Sequence, residues 1–137
     1  INTKMNEFQA AMGLCLLDDM DAVIARRGEL VALYDSLLAD KLIRQQWADK
    51  ATCNHSYYPI IFKTEAVVKQ VQAALNAKDI FPRRYFYPSL DTLSYLEPEQ
   101  YCENSREISS RTLCLPMFPE LDEENQRKII DIIISVL

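Results

Sequence analysis

A helical pattern that fills residues 6–38 limits the fold most. Apolar residues recur there at spacings of three and four, the period of an α-helix. The second half is amphipathic, whereas the segment FQAAMGLCLL, residues 8–17, is apolar on nearly all sides. Such a helix is normally buried from more than one direction. We therefore expect its first half to pack against another domain or subunit, with Asn2 or Thr3 as the cap at its start.

Helices and strands alternate along the rest of the chain. An extended piece at residues 42–47 precedes a strand at residues 56–62, SYYPIIF, in which Pro59 predicts an edge or bulged strand. Thr64 caps a helix that reaches about residue 78. Residues 83–87 look extended because a proline on either side prevents a helix.

The C-terminal part predicts a short helix at residues 103–110 and a buried strand at residues 112–116. Asp122 caps a last helix whose inward side chains are Ile129, Ile130, Ile133 and Leu137. The order α, β, β, α, β, α, β, α indicates an α+β domain with a small sheet and helices against one face.

Composition indicates one globular domain and excludes two classes of partner. The chain has 137 residues, 49% of them hydrophobic, and a formal net charge of −5. This acidic balance lacks the basic face that a nucleic-acid backbone requires, and it disfavours an anionic membrane surface. The longest apolar run is too short to span a bilayer. We expect neither nucleic acid nor membrane as a partner.

The cysteines predict reduced thiols. Cys15, Cys53, Cys102 and Cys114 form no CxxC pair, and their uneven spacing fits neither a disulfide framework nor a zinc site. Cys53 and His55 make at most half a metal site, since the chain has a single histidine. Asp18, Asp19 and Asp21 indicate a solvated helix break. We therefore expect no metal and a cytoplasmic protein.

No residue pattern in this chain supports self-contained catalysis. There is no GxSxG motif, no carboxylate pair with readable roles, and no phosphate-binding glycine loop among the two glycines. We expect no catalytic residue here.

The segment FPRRYFYPSL, residues 81–90, is the candidate binding feature. A guanidinium gives bidentate hydrogen bonds to phosphate or carboxylate, and the flanking aromatic rings offer stacking surfaces. Strand alternation places Arg84 and Phe86 on one side and Arg83, Tyr85 and Tyr87 on the other. The residues alone leave two interpretations equally open: a core strand whose arginines pair with acids, or a ligand site.

Three stretches resemble one family, in order and with compatible spacing. NTKMNEFQAAMGLCLLDDM (2–20), RRYFYPSL (83–90) and LCLPMFPEL (113–121) are similar to landmarks in the C-terminal domain of the DegT/DnrJ/EryC1/StrS sugar aminotransferases. Together they span the chain. The resemblance implies a fold-type I enzyme dependent on pyridoxal 5′-phosphate (PLP), of which residues 1–137 are the C-terminal small domain. It implies a small, mostly antiparallel sheet with helices on one face.

The resemblance also implies roles for particular residues. Asn2 matches an asparagine that reaches the cofactor phosphate, and Arg83, Arg84, Tyr85 and Tyr87 match the region beside the nucleotide-sugar pocket. We slightly favour Arg84 as the arginine that faces the ligand. Ser89 and Leu90 follow Pro88 where many relatives have Leu-His, so that histidine contact is not carried over. The motif Arg-Arg-Tyr-Phe-Tyr-Pro is nearer to members that act on deoxyhexose nucleotides.

The implied activity belongs to a longer parent protein. The cofactor lysine of the family lies in a large domain N-terminal to these residues, and no lysine here, Lys4 included, matches its motif. The parent would transfer an amino group, from a donor such as glutamate, to a nucleotide-linked keto-deoxysugar, and it would be a homodimer. A PLP-dependent sugar dehydratase of the same fold and a stand-alone α/β ligand-binding module are the alternatives.

Overall fold

The computed structural model describes residues 4–38, 40–98 and 100–137. Within them lie five α-helices, three β-strands and a short 3-10 helix at Leu90–Thr92. The elements are, in chain order, α1 (Glu7–Asp18), α2 (Met20–Leu38), β1 (Ile43–Arg44), β2 (Tyr58–Ile61), α3 (Glu65–Asn76), α4 (Glu103–Arg111), β3 (Thr112–Leu115) and α5 (Glu123–Val136).

The long N-terminal helix is divided in two by the expected break. α1 ends at Asp18, and the backbone N–H of Asp19 donates to the carbonyl of Leu17. Asn6 caps the start of α1: its side chain accepts from the N–H of Gln9, whose side chain accepts from the N–H of Asn6. The cap is thus Asn6 rather than the predicted Asn2 or Thr3, both of which lie outside the described residues.

The sheet is antiparallel, with the order β1-β2-β3. β2 is therefore central and pairs with β3 in unbroken register, so the prediction that Pro59 marks an edge or bulged strand is wrong. Pro59 fits because it lies opposite Cys114, which exchanges both of its backbone hydrogen bonds with Arg83. β1 pairs only with Ile60 and Ile61. No neighbour thus requires the N–H that proline lacks.

Residues 83–87 do not form the predicted strand. Arg83 alone pairs with β3, through hydrogen bonds of 3.2 and 2.8 Å to Cys114. The chain then turns at Tyr85 and Phe86. The prolines on either side correctly excluded a helix, but the sequence does not show how far the pairing with β3 continues.

The core lies between one face of the sheet and helices α2, α3 and α5. Tyr58 and Ile60 of β2 join Leu113 and Leu115 of β3 in a cluster with buried side chains of those helices. The alternation of β2 and the 3.6-residue period of the helices predict these positions. The fold class, a small antiparallel sheet with helices against it, is confirmed.

α5 contributes three isoleucines to that cluster, as many buried residues as α2 or α3. Ile129, Ile130 and Ile133 are buried as predicted, whereas Leu137, 54% exposed, is not. Leu137 is the C-cap residue and lies one position past the last helical residue, Val136. Gln126, 1% exposed, donates a hydrogen bond of 2.6 Å to the backbone carbonyl of Leu30 on α2.

α1 buries none of its side chains in this chain. Its apolar residues are exposed instead, among them Phe8 at 88% and Leu14 at 66%. Within the described residues, no helix is both long and apolar enough to cross a membrane.

Candidate functional site

A cleft of about 740 Å³ opens at the end of β3. Residues 78–83 and Tyr85 form one wall, the turn after β3 forms another, and the start of α5 closes the end. Tyr57, Tyr85, Met117 and Phe118 give it aromatic and apolar surfaces. Its charged lining consists of Lys78, Asp79, Arg83, Glu120 and Asp122. The cleft therefore combines flat apolar surfaces with groups that bind anions and hydroxyls.

Arg83 and Tyr85 stand together in this cleft. The guanidinium of Arg83 lies 5.4 Å from the centre of the Tyr85 ring and donates a hydrogen bond to its hydroxyl. The Tyr85 ring meets Tyr57 edge-on at 5.5 Å and stacks on Phe86 at 5.2 Å. Arg83 makes no ion pair with a carboxylate within the described part of the chain. No carboxylate of the described residues therefore neutralises its charge.

Arg84 points elsewhere and is held by the protein. Its side chain is only 14% exposed. It donates hydrogen bonds to Glu65 of α3 at 3.3 Å and to the carbonyl of Ser110 at 2.8 Å. Its guanidinium lies 3.5 Å from the centre of the Tyr87 ring, and the Tyr87 hydroxyl donates to Glu65 at 3.1 Å. Neither Arg84 nor Tyr87 lines the cleft.

The carboxylate of Glu65 is the shared acceptor of this group. Lys69, Tyr87 and Arg84 all donate hydrogen bonds to it. These hydrogen bonds lower the pKa of Glu65, and the one from Lys69 has the largest effect. Sequence reasoning missed Glu65 because an acid in the first turn of a helix is already explained by the helix dipole.

The structure divides the four predicted substrate residues into two pairs. Strand alternation correctly set Arg83 and Tyr85 apart from Arg84, but it wrongly grouped Tyr87 with Arg83. The turn at Tyr85 and Phe86 ends the alternation, so Tyr87 returns to the side of Arg84. The predicted cofactor residue, Asn2, lies outside the described residues. Tyr57 was missed, although alternation in SYYPIIF sets it opposite the buried Tyr58.

Hydrogen bonds to the side chain of Asp91 fix the loop that follows residues 83–87, and we call this group the loop latch. The carboxylate of Asp91, 5% exposed, accepts from Ser89 at 2.5 Å, from the N–H of Cys102 at 2.8 Å and from Arg106 at 2.7 Å. The hydrogen bond from Ser89, with those from Cys102 and Arg106, lowers the pKa of Asp91 to about 2. This latch holds Leu90 and Ser105 on the wall of a second cavity of about 430 Å³.

The thiols form no larger cluster. Cys53 Sγ lies 3.3 Å from Nδ1 of His55. In residues 4–38, 40–98 and 100–137, no three cysteine, histidine or acidic side chains come together as a metal site would need. All four cysteines are free, and burial raises the pKa of the Cys114 thiol.

Solved structures of similar fold include aminotransferases. DesI, solved in the presence of its TDP-sugar product, is 27% identical, with a TM-score of 0.85 over 98% of this chain and 36% of that one. The PLP form of Spr1654 from Streptococcus pneumoniae, titled a sugar aminotransferase, has a TM-score of 0.80 over 98% of this chain and 37% of that one. At 19% identity, the second likeness shows the fold alone.

Sequence comparison identifies the family. The model of the DegT/DnrJ/EryC1/StrS aminotransferase family matches residues 1–134, so the chain belongs to that family. A dTDP-4-amino-4,6-dideoxy-D-glucose transaminase of Shigella dysenteriae is 33% identical over 99% of this chain. The chain spans 38% of the length of that relative. The resemblance found in the sequence is confirmed.

Proposed function

We propose that residues 1–137 are the C-terminal small domain of a PLP-dependent aminotransferase that acts on a nucleotide-linked keto-deoxysugar. Family membership over almost the whole chain is the observation that carries this proposal. The 33% identical relative is named for a dTDP-linked amino sugar, which supports a nucleotide sugar as substrate. The donor of the amino group would be an amino acid such as glutamate.

The described residues of the cleft do not by themselves suit PLP. The cofactor needs a lysine for covalent attachment, a partner for its ring nitrogen and a phosphate cradle; it supplies the electron sink of transamination when bound. The cleft offers Lys78 at an exposed position and no cluster of backbone donors from a glycine loop. Cofactor binding therefore falls to the large domain, with Asn2 as the contribution of this chain.

The cleft suits the substrate better. The fork of Arg83 can bind two oxygens of a diphosphate, and Tyr57 and Tyr85 provide ring faces for stacking. Carboxylates such as Glu120 can accept hydrogen bonds from sugar hydroxyls. In the parent enzyme these groups bind and orient the nucleotide sugar, and the reaction itself takes place on groups supplied by the large domain.

α1 provides the contact with the rest of the enzyme. Its apolar side chains are exposed here, and the chain covers little more than a third of its relatives. Large exposed apolar patches commonly mark contact surfaces. We place the large domain or the partner subunit of a homodimer on α1. The cytoplasmic location stays a prediction from the cysteines.

Kinetics of the full-length protein test the substrate site. Replacing Arg83 by alanine should raise KM for the nucleotide sugar roughly tenfold to a hundredfold, because a hydrogen bond to a charged group contributes about 1.5–3 kcal/mol. The half-reaction with the amino donor should be unchanged. Arg127→Ala, which removes an exposed ion pair on α5, is the matched control. An unchanged KM in the Arg83 variant would contradict the site.

The isolated chain gives a second test. Without the lysine of the large domain, it should form no lasting lysine-bound PLP absorption band and should not transaminate. A reproducible band that maps to one specific lysine would show that the domain assignment is wrong.

A further inference from the structure

We infer that Arg84 is a positioning residue: it holds residues 83–87 against α3 and α4 so that Arg83 and Tyr85 face the cleft. This inference rests on the proposed function, and it assigns the two adjacent arginines different tasks. The sequence alone slightly favoured Arg84 as the ligand-facing arginine.

Three elements hold the guanidinium of Arg84. Glu65 lies on α3, Ser110 lies in the last turn of α4, and Tyr87 belongs to the same loop as Arg84. A planar guanidinium can donate to two acceptors in its plane while an aromatic ring covers its face. A lysine ammonium cannot make all three contacts at once. The site is therefore specific for arginine.

The backbone next to Arg84 is fixed as well. Arg83 exchanges both of its backbone hydrogen bonds with Cys114 of β3. With the backbone of Arg83 bound to the sheet and the side chain of Arg84 bound to the two helices, neighbouring side chains project in opposite directions. The side chain of Arg83 is thereby directed into the cleft, where it meets Tyr85.

The electrostatics separate the two arginines in the same way. Arg84 pairs with the carboxylate of Glu65, which it shares with Lys69, and its guanidinium is covered on one face by the Tyr87 ring. The acids of the cleft, Asp79, Glu120 and Asp122, lie beyond ion-pair distance from Arg83. One cation is thus used inside the protein and the other stays free for an anionic ligand.

The test compares Arg84→Ala, Arg84→Lys, Glu65→Gln and Arg83→Ala in the full-length protein. We expect Arg84→Ala to raise KM for the nucleotide sugar roughly three- to thirtyfold, which lies within the range of coupling between contacting residues. The half-reaction with the amino donor should not change, and backbone amides of residues 83–90 should exchange hydrogen faster. Glu65→Gln should act in the same direction, and the Glu65→Gln, Arg84→Ala double variant should be no worse than Arg84→Ala.

The remaining outcomes decide between roles. If Arg84→Ala lowers only the melting temperature and leaves KM unchanged, Arg84 is merely structural and the inference is wrong. If Glu65→Gln has no effect and amide exchange stays slow while KM rises in Arg84→Ala, Arg84 contacts the ligand directly, which also overturns it. Should Arg84→Ala fail to fold, Arg84→Lys and Glu65→Gln provide the same readouts. An unchanged KM in Arg83→Ala alone would refute the proposed substrate site instead.

Discussion

α1 and α5 are both rich in apolar residues, yet α1 is exposed along its length and α5 packs one face into the core. α5 gathers Ile129, Ile130 and Ile133 on one side and leaves charged residues on the other. α1 distributes its apolar residues around the helix and buries none of them. The distribution of apolar side chains, more than their number, decides whether a helix finishes its packing within its own chain.

The largest change in stability should come from a substitution on the buried face of α5. Ile133→Ala should lower the free energy of unfolding by about 2–5 kcal/mol, because it removes a completely buried side chain and leaves a cavity. The next residue, Ile134, is 38% exposed and provides the matched control. Ile134→Ala should cost clearly less, and Leu17→Ala on α1, 64% exposed, should change stability by at most about 0.5 kcal/mol.

Urea denaturation of the four proteins measures these differences. Equal losses in Ile133→Ala and Leu17→Ala would mean that α1 is part of the core and that the contrast between the helices is false.

The next largest effect should be on the self-association of the chain through α1. We expect the isolated chain to self-associate at high concentration, because α1 offers an uncovered apolar surface. The double variant Phe8→Glu, Leu17→Glu should weaken this association at least about tenfold, since burying one large apolar side chain contributes about 1.5–3 kcal/mol. Sedimentation velocity at several concentrations gives the measurement.

Tyr95 supplies the control for this experiment. It is 76% exposed and does not belong to α1, so Tyr95→Glu should leave the association unchanged. A strictly monomeric wild-type chain at high concentration, or equal weakening by the Tyr95 variant, would refute the assigned role of α1.

Substitution of the helix caps should have the smallest effect on stability. The caps of α1 and α5 should also differ in how that effect depends on pH. Asp122 caps α5 and Asn6 caps α1. The backbone N–H of Asn125 lowers the pKa of Asp122, so this cap stabilises the fold above the ordinary carboxyl pKa of about 4, and its contribution is lost as the pH falls through the lower folded value. Asn6 does not titrate, and it caps a helix outside the core.

Denaturation between pH 3 and pH 7 separates the two caps. Asp122→Ala should lower the unfolding midpoint near neutral pH, and its difference from the wild type should shrink below about pH 4. Asn6→Ala should leave the midpoint unchanged throughout. A midpoint change of equal size in both variants would show that α1 unfolds together with the core.

Most of the fold could be predicted from residue periods and caps. Thr64 and Asp122 begin their helices where the sequence places them, and Ile129, Ile130 and Ile133 face inward. These features depend on neighbours within a few residues, so the sequence contains the whole of their cause. The central place of β2 could not be predicted, because it depends on two distant strands and on the hydrogen bonds of Cys114 to a third segment.

The sequence indicated which segment contributes to the candidate site, but it did not separate the positions of the four residues in that segment. The composition of FPRRYFYPSL pointed to Arg83, Arg84, Tyr85 and Tyr87. What separates them is the turn at Tyr85 and Phe86 and the carboxylate of Glu65 on a different helix. Both are tertiary features, and a strand period applied across a turn assigned Tyr87 to the wrong side.

The buried amide of Gln126 has a consequence for the alignment of α2 and α5. Apolar helix faces tolerate sliding by a turn, since one isoleucine packs against leucine much as another does. The hydrogen bond from Gln126 to the carbonyl of Leu30 adds a polar restraint, because a small slide that breaks it leaves the amide buried without a partner. This contact thus restrains the position of α5 along α2, and with it the position of the cleft wall that the first turn of α5 carries.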